Sequence, residues 1–94
     1  MPTCPVCGRR VSWKNFDQHL DAHVRDLEEM SLVRVLELGG GVEAYEFGGR
    51  WFLTKRLLLK HVARVAPAVA GELRRRFEER RRHAPKAFSA RRAA

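Results

Sequence analysis

The spacing of apolar residues changes period twice along the chain. Phe16, Leu20, Val24 and Leu27 recur every three or four positions, which predicts an amphipathic helix from Phe16 to Met30. Asn15 precedes that stripe as a capping residue, with Gln18 three positions on as its capping-box partner and Asp17 favouring the positive helix terminus. After Met30 the pattern becomes that of strands. Leu32–Leu38 is rich in branched apolar side chains, Gly39-Gly40-Gly41 interrupts it, and Val42–Phe47 makes a second run that Gly48-Gly49 joins to a third, Arg50–Thr54. Three antiparallel strands are expected, with Tyr45, Phe47, Trp51 and Phe52 packing the core of a small sheet rather than stacking on unpaired bases.

Thr54 caps a second helix, starting at Lys55. Its Leu58, Val62 and Val65 form a stripe that Leu57, Leu59 and Ala66 widen. Pro67 ends this helix or starts the next. Glu72–His83 reads as a third helix with a thin apolar side, anchored by Val69, Leu73 and Phe77, and Pro85 stops it. The segment from Lys86 to Ala94 has no core of its own.

With 94 residues, the chain has room for one small domain or two very small ones. Such a chain buries only about 60–65% of the surface its unfolded form exposes, so a metal or a partner is expected to help hold it. Nothing approaches the ~18 consecutive apolar residues of a membrane span. Met1-Pro2-Thr3-Cys4 lacks the basic start and apolar run of a signal peptide, and the expected location is the cytoplasm.

Cys4 and Cys7 stand near the start, and His19 and His23 follow, in the spacing C-x2-C-x11-H-x3-H. A tight turn brings the two thiolates together, and histidines four apart share one helical face, which suits a tetrahedral Zn²⁺. A redox CxxC would need a thioredoxin-like strand and helix around it, and a disulfide does not suit a reducing cytoplasm. Four protein ligands make one structural Zn²⁺, with no place for a catalytic water. Val11, Trp13 and Phe16 are expected to cover it. Through Cys4, Cys7, Phe16, His19 and His23 the segment resembles the two-Cys, two-His zinc finger family, although eleven residues separate Cys7 from His19 where that family has twelve. The resemblance implies a ββα finger over residues 4–23. It also places Ser12, Asn15 and Gln18 at base-contacting positions, while Asp17, Asp21, Asp26, Glu28 and Glu29 on the same helix oppose insertion between phosphates.

The expected class is therefore α+β. An N-terminal ββα zinc finger with an extended helix occupies residues 1–30. A three-stranded antiparallel sheet packed with a helix fills residues 31–71, and an Arg-rich helix with a basic C-terminal extension fills residues 72–94.

Net charge sharpens the functional reading. Residues 1–46 hold five basic and eight acidic side chains, net −3, and residues 47–94 hold fourteen and three, net +11. Fifteen of the nineteen cations are Arg, the type that forks onto phosphate and stacks on bases. Polyanion binding is assigned chiefly to the second half, where Arg56, Lys60 and Arg64 recur at four-residue spacing beside Arg50 and Lys55. It extends through Arg74, Arg75, Arg76, Arg80, Arg81 and Arg82 to Lys86, Arg91 and Arg92, with Arg9, Arg10 and Lys14 as the finger's contribution. His61 has no visible partner and is read as ordinary.

No nucleophile set or phosphate-cradling glycine loop is present, so an enzyme is not expected. The leading expectation is a small structural RNA-binding zinc protein of the ribosome, touching rRNA and neighbouring ribosomal proteins and no membrane. The alternatives are a DNA-binding regulator reading bases through Asn15 and Gln18, and a protein–protein adaptor docking through the acidic finger helix.

Overall fold

Pro2 and Pro5 have no backbone N–H, and Gly8 sits at a left-handed φ of 71°, so the first residues turn back without laying down strands. The computed structural model describes residues 1–93, with side chains through Arg82. It joins this segment by one isolated bridge, Thr3 to Arg10, and the first regular element is a helix, α1 (Trp13–Glu29). The expected ββα order is thus corrected: the hairpin shrinks to a bridge. Val11 N–H donates to the Pro2 carbonyl at 3.0 Å, and the helix begins two residues later, leaving no length for a second strand. The cap moves with it. Ser12 is the N-cap, without a side-chain bond, and Asn15 N–H donates to the Ser12 carbonyl at 3.0 Å, so Asn15 lies in the first turn and forms no capping box with Gln18.

At its other end α1 closes with Ser31 N–H on the Glu28 carbonyl (2.9 Å) and Leu32 N–H on the Leu27 carbonyl (3.0 Å), Ser31 taking a left-handed φ of 59°. The chain then enters an antiparallel meander of β1 (Arg34–Gly39), β2 (Val42–Phe47) and β3 (Arg50–Phe52), in the order β1-β2-β3. Gly40-Gly41 and Gly48-Gly49 are both at positive φ, as the tight hairpin turns require, and Leu38 is the extra residue of a bulge between Glu37 and Gly39.

The register places Val35, Tyr45 and Phe52 side by side on the inner face, with Phe47 next to them. Trp51 belongs to the opposite face, and its expected place in the core is corrected: it is 50% exposed, with the Arg34 guanidinium 5.9 Å from its ring. Alternation on a three-residue strand can bury Phe52 or Trp51, and the helices lie on the Phe52 side.

Thr54 caps α2 (Lys55–Val65) by accepting from Leu57 N–H at 3.1 Å. Leu58, Leu59 and Val62 are fully buried, whereas Leu57 and Val65 are half exposed; the inner stripe is rotated because α2 packs against α1 and the next helix as well as the sheet. Pro67 takes the first position of α3 (Pro67–Ala93), where its fixed φ suits a helix and its missing N–H costs nothing. The helix continues past Pro85, where an end was expected. Proline removes one backbone bond and crowds the preceding turn, yet its own φ is helical.

Leu27 of α1, Val33, Tyr45 of β2, Leu58 and Val62 of α2 and Leu73 of α3 belong to one buried cluster, which also takes in Cys4 and Val6. Among the described residues no helix is long and apolar enough to cross a membrane.

Candidate metal centre

The N-terminal turn is built to hold two sulfurs. Cys4 N–H donates to the Arg9 carbonyl at 2.8 Å and Gly8 N–H to the Cys4 carbonyl at 2.9 Å, so Cys4 and Cys7 are drawn to the same side of the loop. Opposite them α1 presents His19 and His23, one helical turn apart, with ring centroids 4.8 Å from each other. The donor atoms of Cys4, Cys7, His19 and His23 all lie within 4.8 Å of one another, and Cys7 Sγ is 3.2 Å from His19 Nε2. The structure thus brings together all four ligands expected from the sequence.

Their chemistry fits a cation. His23 is fully buried, and both its Nδ1 and Nε2 lack any hydrogen-bond partner. A buried ring nitrogen left in that state costs about 1–3 kcal/mol, which coordination would relieve at one of the two. Within the thiol pair, hydrogen bonding from Cys4, and after it from the Arg9 backbone and the His19 ring, holds Cys7 low, toward thiolate. Sharing that bond and being buried, Cys4 is pushed high. One sulfur is thus biased toward the charged form a metal ligand needs, and the second would lose its proton as an ion entered.

The cover over the centre differs from the expected one. Val11 packs against the core and Phe16 is buried, but Trp13 is 68% exposed, touching the site only through an edge-on contact of 5.9 Å with Phe16. Because α1 begins at Trp13, that ring stands in the first turn, outside the seam. Phe77 of α3 covers the site in its place, its ring centroid 4.6 Å from His19 and 5.4 Å from His23, and the Arg9 guanidinium is 5.9 Å from the Phe77 ring centre. Three residues further along α3, Arg80 Nη1 donates at 2.7 Å to Asp26, a carboxylate only 2% exposed on α1. Sequence reasoning missed both contacts. Their signal was there in the spacing: Asp26 follows His23 by three, Arg80 follows Phe77 by three, and residues three apart share a helix face.

The cations assigned to polyanion binding divide into two sets. Arg80 is engaged with Asp26, Lys55 with Asp17 at 3.4 Å, and Arg75 and Arg76 with Glu72 and Glu79 at 2.7–3.0 Å. The acidic face of α1 therefore meets two of its opposite charges within the same chain. Arg10, Lys14, Arg50, Arg56, Lys60 and Arg64 are exposed and form no ion pair among the described residues, as do Arg74, Arg81 and Arg82 on α3. Arg9 is half-buried over Phe77. Lys86, Arg91 and Arg92 lie outside the residues whose side chains are described. Asn15 and Gln18 are exposed on α1, with Asp17 between them and Asp21 one turn on.

No family model, curated protein or solved structure matches the chain.

Proposed function

We propose that this is a small structural zinc protein that binds RNA, most fittingly rRNA in a ribosome or a related ribonucleoprotein beside other ribosomal proteins. Zn²⁺ is the ion that two thiolates and two imidazoles suit best, and with four protein donors it would act as a staple, with no catalytic position left open. Its chemistry is structural: it would hold the N-terminal turn on α1 and form the floor on which Phe77 seats α3.

The observation that carries the RNA reading is the outer surface of α2. Arg56, Lys60 and Arg64 are all exposed, none forms an ion pair among the described residues, and no acid occurs anywhere in residues 47–71. Like charges along one helix cost a few tenths of a kcal/mol per pair, a cost readily offset when phosphates lie against them and counterions are released. The cations that face acids within the chain already have partners, and this ridge is left for another molecule.

Sedimentation of cell extract from the source organism in moderate salt is the test. Co-migration with a ribosomal subunit or another RNA particle, lost after ribonuclease, is the expected result. A protein that stays at the top of the gradient would refute the reading.

A further inference from the structure

His61 belongs to neither the metal centre nor the ridge, and its surroundings are unusual. It lies on α2 over the inner edge of the sheet, with Phe52 5.1 Å and Phe47 6.1 Å away between ring centroids. Arg64, one turn on, places Nη2 3.3 Å from His61 Nδ1. A guanidinium can only donate, so Nδ1 accepts and the ring proton stands on Nε2, leaving a second donor. Arg50 reaches the same place from the sheet. It is the register partner of Phe47, so both side chains leave the same face, the face that carries His61.

We propose that Arg50, His61 and Arg64 form a single binding site for a phosphate group, that of an RNA backbone, continuing the ridge of Arg56 and Lys60 from α2 onto the β2–β3 hairpin. The inference rests on the RNA-binding reading and adds a named contact and a pH response to it. Three features support it. Two exposed guanidiniums and an imidazole converge from the sheet and α2; the floor beneath is apolar, made by Phe47 and Phe52; and, among the described residues, the charged groups that bear on His61 are Arg50 from β3 and Arg64 from its own helix, with no carboxylate among them. Partial burial, then Arg50 and Arg64, hold the His61 pKa below its ordinary value, so the ring is neutral at pH 7. A phosphate between the guanidiniums reverses that balance. It favours the imidazolium, so binding takes up a proton and tightens as pH falls through the histidine range.

The test uses the full zinc-loaded chain and a fluorescein-labelled single-stranded oligouridine, titrated over a range of salt and at pH 5.5 and 7.5. Arg50→Gln and Arg64→Gln should each weaken binding roughly three- to tenfold and reduce the salt slope by about 0.7, the value of one single-strand phosphate contact. The wild-type chain should bind about fivefold tighter at the lower pH, and His61→Gln should remove that difference. Arg25→Gln, on α1, should change neither. Both arginines are exposed, so their loss leaves the core intact. If the oligouridine binds and all three variants keep the wild-type salt slope and pH response, the site is refuted while the RNA reading stands. If the oligouridine does not bind even at low salt, the RNA reading fails, and inorganic phosphate decides the site. A shift of the His61 imidazole resonances by phosphate, abolished in Arg50→Gln, would support it as a small-anion site, and no shift would overturn it.

Discussion

The Phe77 ring stands edge-on to His19, at 73° and 4.6 Å between centroids, and so the Arg-rich helix is seated on the histidines of the candidate metal centre. Phe77 is half-buried, so its truncation loses less than the ~3–5 kcal/mol typical of a core Phe→Ala. Phe77→Ala is expected to destabilise the fold by about 2 kcal/mol and to hasten transfer of the metal to a coloured chelator. Thermal melting and the rate of chelation would measure the two effects.

The Asp26–Arg80 pair is the second attachment of α3. Asp26 is 2% exposed while the Arg80 side chain is 49% exposed, and Asp26 Oδ2 has no partner of its own. Arg80→Ala strands a buried carboxylate, which for a fully enclosed pair costs about 3–5 kcal/mol; the half-open arginine brings the expected loss to about 2 kcal/mol. Adding Asp26→Asn should restore more than half of it, because an amide is far cheaper to bury than an unpaired charge. Urea unfolding of the two single variants and the double would show whether the restoration occurs.

Much of the local structure was legible because it depends on residues close in sequence. Gly40-Gly41 and Gly48-Gly49 mark tight turns, Thr54 caps its helix, and Cys4–Cys7 and His19–His23 are each paired over about one turn, all statements about backbone conformation within a few residues. Leu73 and Phe77 were recognisable as the anchors of α3, but not what they would touch. That Phe77 meets histidines 54 and 58 positions earlier is a tertiary fact, as is the Asp26–Arg80 pair across the same two helices. The capping residue was misplaced for a related reason. Asn15 and Ser12 both have side chains suited to the role, and the bond from Val11 to Pro2 sets where the helix can start, so Ser12 falls at that point.

Ser31 is held at a φ of 59° at the end of α1, a conformation that costs a side-chain-bearing residue about 1 kcal/mol or more. Replacing it with glycine relieves that strain but loosens the unfolded chain, and the two effects oppose. The strain term is the larger, so Ser31→Gly is expected to stabilise by about 0.5 kcal/mol, raising the thermal midpoint by a few degrees. A calorimetric scan beside wild type is sufficient to detect it.

Acid should loosen α3 from its first turns. Hydrogen bonds from Arg75 and Arg76 hold Glu72 down to about 2, below its ordinary value of 4.5. A carboxylate with a lowered folded pKa contributes stability above its unfolded pKa and loses it as pH falls toward the folded one, so the window runs from about 4.5 to about 2. Helical signal in circular dichroism should decline across that range. Glu72→Gln, which cannot titrate, should reduce the decline, and a decline that is identical in the variant would remove Glu72 as its cause.

Removing the metal should have the largest effect of all. Without an ion, His23 keeps both ring nitrogens buried and unpartnered, and Cys4 and Cys7 must share one proton or repel as two thiolates. The floor under Phe77 then has nothing to order it, and α3 loses one of its two attachments to α1. Metal bound at a thousand times its Kd stabilises by about 4 kcal/mol, a large part of what a chain of this size possesses, so a strong chelator is expected to abolish cooperative melting. Cys4→Ser and His23→Ala should behave likewise even with zinc in excess. Elemental analysis of protein purified under reducing conditions should find one Zn²⁺ per chain; a metal-free protein that melts cooperatively, unmoved by chelator, would refute the centre.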